Sequence, residues 1–121
     1  MPNGIDIKKF TPDNIRYRDD IRSRYKIEQS DFVFLFMANN LALKGLNVVI
    51  KATLALQALP VKILIIGPYN RKIKRKAKKI LNTIIFGSRA NDPELIYPAC
   101  DCLVHPSFYD ACSLVVLEAL A

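Results

Sequence analysis

Two carboxylates, Asp110 and Glu118, stand eight residues apart in the run Asp110-Ala-Cys-Ser-Leu-Val-Val-Leu-Glu118. The apolar spacing reads as a helix, with Asp110 just ahead of it and Glu118 inside it. Eight helical residues rise about 12 Å, roughly the reach of a nucleotide sugar from ribose to sugar ring. Amides at the start of such a helix lack internal partners and can hold a diphosphate between the two acids. His105-Pro-Ser107 leads into the run. Together these residues suggest a binding site for a nucleotide-activated sugar as glycosyl donor.

Each residue has a plainer reading beside this one. Asp110 suits a helix N-cap, and for it the two readings stand level. Glu118 as a solvated helix glutamate fits poorly among Val115, Val116, Leu117 and Leu120. Lys44 near a helix start opposes the helix dipole, which favours an anion nearby. His105 reads as a strand-end residue rather than a catalyst. Cys100, Cys102, His105 and Cys112 match no strong zinc spacing, so no metal is expected.

The elements that must position these residues alternate along the chain. Four apolar runs read as strands: Phe32–Met37, Val61–Ile66, Thr83–Phe86 and Cys102–His105. The first is apolar on both faces, as a buried parallel strand should be. Helices are predicted over Lys44–Leu59, ended by Pro60, over Arg71 to about Leu81, and over Ala111–Ala121. A charged helix is predicted over Asn14–Tyr25, and a short one over Asp92–Cys100 with Asp92 as N-cap and Pro93 in its first turn. Alternation of this kind gives an α/β fold with a parallel sheet. Small and polar residues follow every strand: Ala38-Asn-Asn, Gly67-Pro-Tyr-Asn, Gly87-Ser-Arg and Pro106-Ser. The carboxyl edge of a parallel sheet is where ligands bind.

The chain has 121 residues, enough for one domain with a core. No apolar run approaches the ~18 residues of a membrane span, and Met1-Pro-Asn-Gly-Ile-Asp6 lacks a secretory pattern. Three cysteines do not read as a disulfide framework, which favours a reducing, cytoplasmic setting. The loop-like opening and the uncapped helix at Ala121 give the expectation of a fragment of a larger protein. The net charge of +7 concentrates in Arg71–Lys79, where seven of nine residues are basic. The favoured reading is the solvated face of a helix with Ile73, Ala77 and Ile80 turned inward. The sharper one is a patch for an anionic membrane surface. Nucleic acid is not expected, since no aromatics interleave the charges.

These features, in their order and spacing, resemble the C-terminal nucleotide-sugar-binding domain of glycosyltransferase family 4, the group 1 glycosyl transferases of GT-B fold. The resembling residues are Pro2-Asn-Gly-Ile-Asp6 with Phe10, Lys44-Gly45, Ile65-Ile-Gly67, Ile85-Phe-Gly87, Asp101-Cys-Leu-Val-His-Pro-Ser107 and Asp110 to Glu118. The wording Phe108-Tyr-Asp-Ala-Cys-Ser and Val116-Leu-Glu-Ala-Leu is most similar to the lipopolysaccharide-core glucosyltransferase branch. The resemblance implies that Glu118 accepts hydrogen bonds from the ribose hydroxyls and that Asp110, where Glu is usual, meets the donor sugar. It implies that Lys44 neutralises the diphosphate leaving group. Backbone groups of Ala111, Cys112 and Ser113 would meet the phosphates, and those of Ser88 and Arg89 the base. An arginine usual five or six residues before the lysine is replaced by Asn39 and Ala38.

The resulting expectation is a Rossmann-like parallel sheet with helices on both faces, the C-terminal half of a GT-B enzyme. Its N-terminal acceptor domain would lie outside this chain, so the chain alone would turn over little. The reaction would be retaining transfer of a hexose from a nucleoside-diphosphate sugar, first of all a UDP-sugar, to a glycan or glycolipid. No metal or other cofactor is implied, and the setting would be cytoplasmic or peripheral at the inner membrane face. The rivals are a nucleotide-sugar epimerase or other GT-B enzyme, and a non-enzymatic basic α/β module binding membrane or nucleic acid.

Overall fold

The computed structural model describes residues 4–56, 58–78, 83–87 and 91–121. Four parallel strands form one sheet: β1 (Phe32–Met37), β2 (Val61–Ile66), β3 (Ile84–Gly87) and β4 (Cys102–Leu103), in the order β3-β2-β1-β4. Among the described residues four α-helices accompany them: α1 (Arg18–Arg24), α2 (Leu46–Leu56), α3 (Arg71–Lys78) and α4 (Leu114–Leu120). Strands β1 and β2 occupy the residues predicted for them and pair along their full length, from Phe32 with Val61 to Met37 with Ile66.

Successive residues of a strand point to opposite faces, and here both faces are covered. Phe36, Ile63 and Ile65 pack with Leu46, Val49 and Ile50 of α2 and Ala77 of α3. Val33, Leu35, Leu64 and Ile66 pack on the other face with Ile21 of α1, Ile27, Ile96 and Ala99. Burying each of these valine, leucine, isoleucine and phenylalanine side chains contributes about 1.5–3 kcal/mol. The expected two-faced α/β sandwich is what forms.

Helix α3 turns Ala77 fully inward and Ile73 against the core, while Arg71, Lys72, Lys74, Arg75 and Lys76 are exposed. The solvated-face reading of the basic run therefore describes α3 as far as Lys76; Lys79 and Ile80 lie outside the described residues. Asn70 caps this helix by accepting from the Ile73 amide at 2.9 Å.

The predicted boundaries move at several elements: the charged helix expected over Asn14–Tyr25 is a 3-10 stretch, Pro12–Tyr17, followed by α1, and β3 runs Ile84–Gly87 where Thr83–Phe86 was expected. The helix expected over Asp92–Cys100 is instead two 3-10 turns, Pro93–Leu95 and Tyr97–Ala99, and Asp92 makes no capping bond. Pro98 has no N–H to donate and its ring would clash with the carbonyl four residues back, so an α-helix cannot run through it. Helix α2 starts at Leu46, after Gly45 at φ +97°. Strand β4 ends at Leu103, although Val104 still donates to the Leu35 carbonyl at 2.8 Å.

The far edge of the sheet is tied by Arg22, which is fully buried. Its Nε donates to the Ala99 carbonyl at 2.9 Å, and its Nη1 to the carbonyls of Glu28 at 2.9 Å and Asp31 at 3.1 Å. Its Nη2 pairs with Asp101 at 2.9 Å, and Arg18 pairs with the other oxygen of Asp101 at 2.7 Å. Burial pushes the Asp101 carboxyl up, but the Val33 amide and the two guanidiniums outweigh it and hold it below the usual range. Asp101 thus anchors the amino end of β4, away from the ligand-binding edge.

Candidate functional site

The strand order places a reversal between β1 and β4: the chain winds outward from β1 to β2 and β3, then returns to β1's other side. Loops leaving β1 and β4 therefore diverge and open a crevice at the carboxyl edge. Two adjoining cavities lie there, of about 410 and 210 Å³. They share a wall made by Met37, Ala38 and Asn39 at the end of β1 and by Leu114 and Val115 at the start of α4.

Lys44, His105 and Asp110 line the smaller cavity. Lys44 is set by a tight turn after β1. The Asn40 side chain accepts from the Leu43 amide at 3.1 Å, and the Asn40 carbonyl from the Lys44 amide at 3.1 Å. Gly45 then lets this turn touch the loop after β4. A Cβ at Gly45 would lie 2.3 Å from the Pro106 carbonyl oxygen. That contact brings Lys44 Nζ to 2.8 Å from Asp110 Oδ2. His105 Nε2 reaches the same oxygen at 3.0 Å. A carboxylate only accepts, so Nε2 donates to it; among the described residues the buried Nδ1 has no hydrogen-bond partner. The bond from Lys44 does most to hold the Asp110 carboxyl below its ordinary range; burial opposes it, and the bond from His105 adds to the lowering.

Glu118 lines the larger cavity together with Lys9, Gly67 and Asn91. It lies four residues beyond Leu114 on the same face of α4. The Tyr97 hydroxyl donates to Glu118 Oε2 at 2.5 Å. Burial, then this carboxylate, pushes the tyrosine well above its usual range, so it stays a donor.

The structure brings together Lys44 and Asp110, with Cys112 and Ser113 on the same cavity, and sets Glu118 on the adjoining one. Asp110 is not the N-cap: Ser113 caps α4, its Oγ accepting from the Val116 amide at 3.4 Å, while Asp110 is engaged by Lys44 and His105. The helix thus begins at Leu114, three residues later than predicted, and Ala111 and Cys112 are exposed ahead of it. The path from Asp110 to Glu118 is helical only in its second half. Ser88 and Arg89 lie outside the described residues. Asn39, one of the two residues replacing the expected arginine, lines both cavities; nearby, Lys9 lines the larger one and pairs with Glu94 at 3.5 Å. Sequence reasoning missed Lys9 and Tyr97. Phe10 was the available signal, since its ring packs edge-on against Tyr97 at 5.9 Å. Among the described residues no cluster of three His, Cys, Asp or Glu side chains could hold a metal ion, and no helix is long and apolar enough to cross a membrane.

One parallel sheet covered by helices on both faces, with a crevice at its strand reversal carrying a lysine and two acids, is a Rossmann-like α/β arrangement. The family model for glycosyl transferases group 1 matches residues 17–121, and the chain belongs to that family. Among solved structures, 98% of the chain superposes on WaaG, a glycosyltransferase involved in lipopolysaccharide biosynthesis, at TM-score 0.78 and 25% identity, over 34% of that chain. A glycosyltransferase from Rickettsia africae ESF-5 matches at TM-score 0.80 and 18% identity, 97% of this chain over 34% of that one. Anabaena Alr3699/HepE, solved in complex with UDP-glucose, matches at 0.78 and 22%, 98% over 34%. The chain therefore spans about a third of the length of these relatives. A comparison with curated protein sequences finds no match.

Proposed function

We propose that this chain is the donor-binding part of a retaining glycosyltransferase that moves a hexose from a nucleoside-diphosphate sugar to a glycan or glycolipid. The carrying observation is one crevice at the strand reversal that holds Lys44 and Asp110 at one end and Glu118 at the other. Glu118 would accept from the ribose hydroxyls. Lys44 has three donors and spends one on Asp110, so two remain for the diphosphate. As the bond from the anomeric carbon to the phosphate oxygen breaks, negative charge grows there, and a fixed cation stabilises it. Asp110 receives both of its partners on Oδ2, which leaves Oδ1 for a hydroxyl of the sugar.

UDP-sugar is the first donor to test, a choice supported by HepE's binding of UDP-glucose. The likeness to WaaG supports a lipopolysaccharide-type acceptor. That acceptor would be presented by the two thirds of the relatives that this chain does not cover. Phosphate contacts by the backbone of Ala111, Cys112 and Ser113, and base contacts by Ser88 and Arg89, belong to the same reading. So does a cytoplasmic setting at the inner membrane face, supported by the exposed basic side of α3. The reading calls on no metal; Lys44 is the cation it places at the diphosphate.

The test is calorimetric titration with UDP, GDP and ADP, repeated on Glu118→Ala and Lys44→Ala. One of the three should bind, and each substitution should weaken it about tenfold or more, the weight of a hydrogen bond to a charged group. Binding that ignores both substitutions would sink the assignment.

A further inference from the structure

Glu118 belongs to a helix that buries no residue fully. A glutamate on such a helix has three side-chain torsions to fix before it can bind anything. The structure shows what fixes it. The Tyr97 hydroxyl meets Glu118 Oε2 at 2.5 Å, a short charge-assisted bond. We propose that Tyr97 is a positioning residue for Glu118, holding one carboxylate oxygen so that the other faces the ribose hydroxyls, and that ribose recognition here depends on it. The proposal rests on the donor-site reading above and deepens it.

Tyr97 is suited to the role because its own turn is clamped. Arg18 donates to the Pro98 carbonyl at 2.7 Å, and the buried Arg22 to the Ala99 carbonyl at 2.9 Å. Asn14 bridges the carbonyls of Lys9 and Glu94 at 2.9 and 3.4 Å. The Tyr97 ring is wedged edge-on against Phe10. A phenol has two side-chain torsions, both constrained here, so it transmits the rigidity of the 93–99 turns to a helix that has little of its own. Its hydroxyl remains protonated, because burial and the neighbouring carboxylate both disfavour the phenolate. The geometry also revises how the diol is met. Oε2 is already engaged, so Oε1 takes the main share of the ribose hydroxyls.

A purely structural bond would pin α4 to the turn and affect stability alone. Discrimination between a ribose and a ribose lacking its diol separates the two roles. The experiment titrates the full chain, Tyr97→Phe and Glu118→Ala with whichever of UDP, GDP and ADP binds best, and with its 2′,3′-dideoxy form. The unsubstituted chain should prefer the ribonucleotide by about tenfold or more. Tyr97→Phe keeps the ring and should reduce that preference to about two- or threefold, by weakening the ribonucleotide and leaving the dideoxy form nearly unchanged. If Glu118→Ala erases the preference and Tyr97→Phe retains it, the tyrosine proposal is overturned and the donor site stands. If no nucleotide binds, or Glu118→Ala changes nothing, the donor-site reading falls and the proposal with it.

Discussion

Replacing Gly45 with alanine should open the candidate site without touching any charged residue in it. The added Cβ would lie 2.3 Å from the Pro106 carbonyl oxygen, against a floor of 3.0 Å for real contacts, so the two loops must part by about 0.7 Å. A residue with a Cβ at φ +97° also costs about 1–2 kcal/mol in backbone conformation. A loss near 2 kcal/mol in a chain of 121 residues lowers Tm by about 8 °C. The functional effect follows from the same displacement. Lys44 and Asp110 are carried by the two loops that separate, and their 2.8 Å bond lengthens. Lys44 is the first cause of Asp110's depressed pKa, so that pKa should rise in the variant. Differential scanning calorimetry reads the first effect, and carboxyl-carbon NMR titration of Asp110 the second. Nucleotide titration should show about tenfold weaker binding, in keeping with how sharply such sites depend on placement. A Gly45→Ala chain with unchanged Tm, unchanged Asp110 titration and unchanged binding would refute the reasoning.

Arg22→Met should cost about 3–5 kcal/mol in urea denaturation, because it leaves Asp101 and several carbonyls without their buried partner, whereas Arg18→Met, at the more exposed end of the pair, should cost about 1 kcal/mol. Asp101 has a depressed folded-state pKa, so its contribution to stability is present above its unfolded pKa of about 4 and is lost as pH falls through the lower folded value; Arg22→Met should flatten that acid dependence. Thiol labelling at pH 8 should modify Cys102 and Cys112 quickly and Cys100 slowly, since burial first of all pushes the Cys100 thiol up to about 12. Because Cys112 lines the smaller cavity, bound nucleoside diphosphate should slow its labelling and leave Cys102 unaffected.

Much of this protein is written locally. Phe32–Met37 and Ile63–Ile66 are apolar on both faces and bounded by polar or turn residues, so a strand buried on two sides is the arrangement that removes most of them from water. The order of the strands and helices, and the gathering of small polar residues at the carboxyl edge, follow from that patterning. Lys44 and Glu118 could be singled out because charge at those positions made little sense for an ordinary helix, whereas Asp110 fitted an N-cap equally well and drew notice through its spacing from Glu118. What local pattern could not supply was the partner of each. Lys44 meets Asp110 across 66 positions of chain, and Tyr97 meets Glu118 across 21. Both meetings depend on β4 returning beside β1 and on Gly45 admitting Pro106, choices made by packing the whole sheet. The same holds for the start of α4. Asp110 and Ser113 are both able caps, and only tertiary contacts engage the carboxylate and leave the hydroxyl to begin the helix. Periodicity reports which face of an element is hidden; the pairing of side chains between elements is decided only when those faces are brought together.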